Sequence, residues 1–186
     1  MRKSLDCLRL PYRLPPIAGA DSEFHEIIDF CNARVPAPVF ALPGNHDLPN
    51  YKKFFGLATY ILTLGKFVFA FLDNSTGFFS DQDLVLLEKR LKKYRGKKFI
   101  ILMHVPPPTD IDQNHLPTAE WKKLRGVLDC YRESIMNIFC AHIHGYHKYY
   151  LDGYPVTISA GGGGAMIYDL KKPEQKIYNP NLLPAQ

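Results

Sequence analysis

Asn45, His46 and Asp47 set an amide oxygen, an imidazole and a carboxylate side by side, directly after the apolar run Val39-Phe40-Ala41-Leu42-Pro43 and Gly44. A simple connector does not need that combination of donors. Two later stretches, Met103-His104-Val105-Pro106-Pro107 and Ala141-His142-Ile143-His144-Gly145, also place imidazoles directly after apolar runs. A single histidine in such a position is ordinarily structural. Here four of the chain's seven histidines, His46, His104, His142 and His144, stand at strand ends beside Asn45, which points to a shared site. Imidazole with amide or carboxylate oxygen suits Mn, Fe, Zn or Mg in a mixed nitrogen and oxygen site. His142 and His144 are two residues apart, so on a strand they would share a face, as paired ligands must.

The elements that must position these residues are read from periodicity. Val39–Leu42 reads as a buried strand, with Gly44 allowing a tight or left-handed turn after it. Asp21-Ser22 resembles a helix N-cap, and Phe24, Ile27, Ile28 and Cys31 follow at helical spacing. Thr59–Leu64 and Lys66–Leu72 read as strands joined at Gly65, the second closed by the turn Asp73-Asn74-Ser75. Ser80-Asp81-Gln82-Asp83 is a capping box opening a helix with Leu84, Leu87 and Leu91 on one face, and Gly96 ends it. Phe99–Met103 has the pattern of a strand buried on both faces. A loop over Pro106–Pro117 holds His115, placed near the substrate entrance, and a helix runs through Trp121 and Leu124 to Leu128. Ile135–Cys140 is a further strand, and Asp152-Gly153 joins Lys148–Leu151 to Pro155–Ala160 as a hairpin. Gly161–Gly164 reads as a loop and Ala165–Leu170 as a last strand. His25 falls within the first helix with a surface or packing role, and His147 starts a strand.

Gly44-Asn45-His46-Asp47 resembles the GNHD signature of the calcineurin-like metallophosphoesterases. The His104 stretch is similar to that family's single-histidine motif, and Ala141-His142-Ile143-His144 to its GHxH motif. The three occur in family order, and the match runs from about Ser22 to about Leu170. The resemblance implies a two-sheet α/β sandwich flanked by helices, with a dinuclear centre of divalent metal ions hydrolysing a phosphomonoester or phosphodiester. On that basis Asn45, His104 and His142 would hold one metal and His144 would contribute to the other. His46 would contact the phosphoryl group and act as general acid, while Asp47 would fix the loop.

The same resemblance exposes a gap. The family pattern opens with DxH and GDxxD motifs, which supply further ligands and the bridging carboxylate, and neither is present. Residues 1–20 form an irregular Pro-, Arg- and Leu-rich segment, and Asp21 lies too close to Asn45 to belong to a preceding βαβ unit of about 30 residues. The expected organisation is therefore residues 1–20, then a metallophosphoesterase-like domain over 21–186 that is N-terminally incomplete. An impaired centre with one metal or none follows as an expectation, unless Asp21 or a neighbouring chain supplies a carboxylate. A homo-oligomer covering an exposed sheet edge is a further expectation. The alternative is a non-catalytic binding or scaffold module, or a truncated remnant, on the same fold.

Composition bounds the rest. The chain has 186 residues, a 46% hydrophobic share and a net charge of +5, which suits one domain with a sizeable core. The lysines cluster at Lys89–Lys93 and Lys97-Lys98 without interleaved aromatics, so specific nucleic-acid binding is not expected. The four cysteines lack CxxC spacing and read as free thiols. No apolar run is long enough to span a bilayer and no signal-peptide core is present, which weakly favours the cytoplasm.

Overall fold

Alternating burial along Phe67–Leu72 and Lys98–Met103 organises a mixed α/β architecture, as expected from the sequence. The computed structural model describes residues 20–48 and 50–160. Its strands are β1 (Tyr60–Leu64), β2 (Phe67–Leu72), β3 (Lys98–Met103), β4 (Ile135–Cys140), β5 (Gly145–Leu151) and β6 (Tyr154–Ala160). They form one six-stranded sheet in the order β1-β2-β3-β4-β6-β5. The pairs β2–β3, β3–β4 and β4–β6 are parallel, while the outer pairs β1–β2 and β5–β6 are antiparallel. The expected last strand over 165–170 and the loop Gly161–Gly164 lie outside the described residues.

Two helices cover one face of the sheet. In α3 (Asp81–Lys93), Ser80 caps the start by accepting the Asp83 N–H at 3.1 Å. Leu84, Leu87 and Leu91 are all buried, each contributing on the order of 2 kcal/mol. In α4 (Thr118–Leu128), Trp121, Leu124 and Leu128 face the same core. Trp121 Nε1 and Arg125 Nη1 both donate to Asp152 Oδ2 at 2.8 Å, tying the β5–β6 turn to that helix. Asp152 (φ 50°) and Gly153 (φ 82°) are both left-handed, as the tight hairpin requires. Val68, Ala70 and Leu72 of β2, Phe99, Ile101 and Met103 of β3, and Ile138 and Cys140 of β4 complete this core.

The opposite face corrects one expectation. Phe99–Met103 is buried on one face rather than both: Ile100 and Leu102 remain half-buried, and Phe139 beside them is 38% exposed. Among the described residues no second sheet packs there.

The first helix also differs from its reading. In α1 (Asp21–Arg34) the cap is Ala20, whose N–H is held by Glu23 Oε2 at 3.0 Å, and Asp21 lies inside the helix in a surface ion pair with Lys53. Of its apolar positions only Phe24 is buried, stacking on Phe54 of α2 (Tyr51–Phe55) at 4.9 Å. Ile27 stays 52% exposed. The segment Val39–Leu42 is not a strand and pairs with none among the described residues. Pro38 and Pro43 bound it on either side, and neither has an N–H to carry a ladder further. Its anchor is the Ala41 carbonyl, which accepts from the Tyr51 hydroxyl at 2.7 Å and the Tyr60 hydroxyl at 2.6 Å.

Candidate metal centre

Three chain segments meet at the C-terminal ends of β3 and β4. The first is the Gly44–Asp47 turn. Asp47 Oδ2 accepts the Gly44 N–H at 2.6 Å, and the Asp47 N–H returns to the Gly44 carbonyl at 3.1 Å. Asp47 thus fixes the loop. Gly44 is needed for space rather than for a left-handed φ: a Cβ there would stand 3.1 Å from His104 Cε1 and 3.2 Å from Asp47 Oδ2. The backbone passes against the imidazole and holds Asn45 beside it.

The second segment is the turn that follows β3. Asn74, 1% exposed, lies just beyond β2, and its side chain clamps this turn. Its Oδ1 accepts the His104 N–H at 2.8 Å and the Val105 N–H at 3.0 Å, while Nδ2 donates to the Val105 carbonyl at 2.7 Å. Asp73 and Ser75 form the turn expected from the sequence, with Asp73 Oδ1 accepting the Ser75 hydroxyl at 2.7 Å. The positioning role of Asn74 was not legible, because a turn-forming Asx residue gives no sign of a long-range partner.

The third segment, Ala141–His144, lies between β4 and β5 and is not a strand. Shared strand facing therefore cannot align His142 with His144. Instead His142 adopts a left-handed conformation (φ 63°), a strained state for a non-glycine residue of the kind that collects at functional sites. The Ala141 N–H donates to the His104 carbonyl at 2.9 Å, tying this turn to the previous one.

These constraints bring three donor atoms together. Asn45 Oδ1 lies 2.8 Å from His104 Nε2 and 3.2 Å from His142 Nδ1, and the two ring nitrogens are 3.0 Å apart. Ligand atoms about 2.1 Å from one ion and at right angles about it stand about 3.0 Å from one another. The triangle has that size, and its donors are the neutral nitrogen and oxygen types that hold divalent ions. The His104 proton affinity is pushed down to about 4, by burial first and then by His142, His46 and His144. His142 is lowered as well, again chiefly by burial, with Asp112 opposing. Both rings are therefore neutral at neutral pH, the charge state a metal requires. Among the described residues, no group of three or more His, Cys, Asp or Glu side chains is clustered closely enough to hold a metal; the convergence here is two imidazoles and an amide.

A cavity of about 480 Å³ opens over the triangle, lined by Asn45, His46, His104, Asp112, Asn114, His142, Ile143 and His144. All five residues singled out from the sequence line it, with His46 and His144 exposed at its wall. His115 does not line it; its Nδ1 lies 2.8 Å from the Leu116 carbonyl, while Asp112 and Asn114 from the same loop reach the cavity. Asp21 is paired with Lys53 and takes no part. The described residues contain no helix long and apolar enough to cross a membrane.

Comparison with known proteins gives one family match: residues 18–146 correspond to the family described as calcineurin-like phosphoesterase. No curated protein matches. Among solved structures, the chain is similar to one described as a candidate 5′-nucleotidase from Staphylococcus aureus in complex with alpha-ketoglutarate, at 11% identity and a TM-score of 0.37. That alignment covers 65% of this chain and 28% of the other, so this chain spans less than a third of that protein's length.

Proposed function

The chain belongs to the calcineurin-like phosphoesterase family, and from that premise we propose that it is a metal-dependent phosphoesterase acting on a phosphomonoester or phosphodiester. The observation that carries this reading is the triangle of Asn45 Oδ1, His104 Nε2 and His142 Nδ1, with edges of 2.8, 3.0 and 3.2 Å. These three residues would hold a divalent ion, Mn, Fe, Zn or Mg, and His144, on the same cavity wall, would contribute to a second. A cation bound there supplies Lewis acidity toward a phosphoryl oxygen.

The chain's own groups do the rest. Asn74 and Gly44 keep His104 in place, so the donor atoms are pre-set rather than gathered on binding. His46 lines the cavity without being part of the triangle, leaving its imidazole free to give a proton to the departing alkoxide. Exposure of His46 and His144 lets a phosphate ester reach them from solvent.

The test is hydrolysis of p-nitrophenyl phosphate and bis(p-nitrophenyl) phosphate by the full chain loaded with Mn²⁺. Chelation or His104→Ala should abolish turnover, and His46→Gln should lower kcat by about 10²–10⁴. Turnover that survives both chelation and His104→Ala would overturn the reading. The second reading, a non-catalytic binding module on the same fold, draws on the absence among the described residues of a His, Cys, Asp and Glu cluster of three or more. Mn²⁺ binding without hydrolysis of either ester would select it.

A further inference from the structure

The end of the sheet opposite the cavity carries a concentration of positive charge. The N-terminal ends of the parallel strands β2 and β3 lie together there, with Phe67 paired to Lys98. The C-terminal end of β1 and the last turns of α3 join them. Lys66 and the seven cations between Lys89 and Lys98 belong to this end, against two exposed carboxylates, Glu88 and Glu133. That excess is larger than the net charge of +5 for the whole chain. Among the described residues none of these eight cations forms an ion pair. The aspartates at the same end, Asp129 and Asp152, are held instead by Arg125 and Arg132. Like charges gathered in this way repel one another, and an anionic partner relieves the repulsion.

The patch also has an apolar tip. Leu64 is 65% exposed at the β1–β2 turn, where Gly65 takes a left-handed φ of 56°. Lys97 Nζ donates to the Gly65 carbonyl at 2.7 Å, and the Lys98 N–H donates to the Lys66 carbonyl at 3.0 Å, so the turn is fixed among the cations. A leucine standing out among lysines suits a surface of anionic headgroups over hydrocarbon. Nucleic acid is a poorer fit, because its bases need open ring faces to stack on. The rings of Tyr94 and Phe67 carry ammonium groups here: Lys93 and Lys97 lie 5.2 and 5.7 Å from the first centroid, and Lys66 lies 5.4 Å from the second.

We propose that this end of the protein docks on an anionic lipid bilayer, with Leu64 entering the headgroup region and the surrounding cations facing the lipid phosphates and carboxylates. The contact is peripheral, since no described helix is long and apolar enough to cross a membrane. The cavity, at the C-terminal ends of β3 and β4, then opens away from the bilayer. An ester taken up there comes from the aqueous phase rather than from the lipid beneath the protein.

The experiment is co-sedimentation of the full chain with phosphatidylcholine vesicles, without and with about 30% phosphatidylserine. Binding is expected only to the anionic vesicles, and it should be lost near 1 M NaCl, where the screening length falls to about 3 Å. A basic residue near the surface strengthens binding about fivefold, so Lys92→Gln/Arg95→Gln should weaken it about 25-fold. Lys52→Gln/Lys122→Gln removes the same charge elsewhere and should stay within about threefold of wild type. Leu64→Ser should weaken vesicle binding about fivefold. A wild type that does not sediment with the anionic vesicles would overturn the proposal. Equal weakening by the two double variants would also overturn it, since only net charge would then matter. Oligo(dT) bound as tightly as the vesicles, and equally well by Leu64→Ser, would overturn it in favour of a nucleic-acid backbone. None of these substitutions touches the cavity, so turnover of p-nitrophenyl phosphate tests the phosphoesterase reading separately.

Discussion

Replacing Asn74 with alanine should destabilise the fold by about 3–5 kcal/mol, a large share of a domain's usual 5–15 kcal/mol. The side chain is 1% exposed and makes three hydrogen bonds, from His104 N–H, from Val105 N–H and to the Val105 carbonyl. Alanine removes all three partners at once. Val105 is 5% exposed, so its N–H and carbonyl have little access to replacement water, and each group left unsatisfied costs about 1–3 kcal/mol. His104 is only half-buried and its N–H falls at the low end of that range. Urea unfolding of the metal-free full chain measures the sum. With a slope of about 2 kcal/mol per molar, the midpoint should fall by about 2 M without a change in slope. Asn74→Asp keeps an oxygen toward both N–H groups but turns its second oxygen against the Val105 carbonyl, so it should also fall below wild type. Mn²⁺ affinity should fall in step with stability, because the same clamp fixes His104. An Asn74→Ala protein within 1 kcal/mol of wild type would refute the reasoning, as it would mean that the turn is held by other contacts.

Two further outcomes follow from the geometry. Gly44→Ala places a methyl 3.1 Å from His104 Cε1, so the ring must shift by a few tenths of an ångström; Mn²⁺ affinity should drop about tenfold, a scale typical of disturbed ligand support, with the urea midpoint little changed. Asp129 tests acid stability. Its carboxyl is held below the ordinary value first by the Tyr154 hydroxyl at 2.7 Å and then by Arg125 and Arg132, against the opposing effect of burial. A depressed folded-state pKa gives stability that is full above the unfolded value of about 3.9 and lost as pH falls through the folded value. Urea midpoints should therefore decline below about pH 4 in wild type, and less steeply in Asp129→Asn; equal slopes would dismiss the interaction.

Which parts of this arrangement could be read from residues alone follows from the range of the forces involved. The helix over Asp81–Lys93 was legible because its cap, apolar spacing and charged last turn are local and agree with one another. The β5–β6 hairpin was legible for the same reason, since Asp152-Gly153 specifies its own turn. Val39–Leu42 misled because a short apolar run has the same composition whether or not a neighbouring strand exists to pair with it. Periodicity reports what a segment can bury, not what is there to cover it. The one-sided burial of β3 is the same failure seen from inside the sheet.

The site divides along a similar line. Asn45, His104 and His142 could be selected because chemistry restricts which side chains bind a cation, and each follows an apolar run that stops abruptly. Their supports could not be selected. Asn74 reaches His104 across 30 positions and Asp112 reaches the cavity from a proline-bounded loop. Neither position carries a residue type unusual for its local setting: an asparagine in a turn and an aspartate in a loop are expected everywhere. The strained φ of His142 is equally silent in sequence, because the chain before and after it is ordinary. What distinguishes these three residues is a tertiary relation: Asn74 holds the backbone of His104, Asp112 lines the cavity, and the left-handed turn at His142 brings its ring to Asn45 and His104. Two imidazoles and an amide thus come together only through residues whose role appears when the sheet has formed.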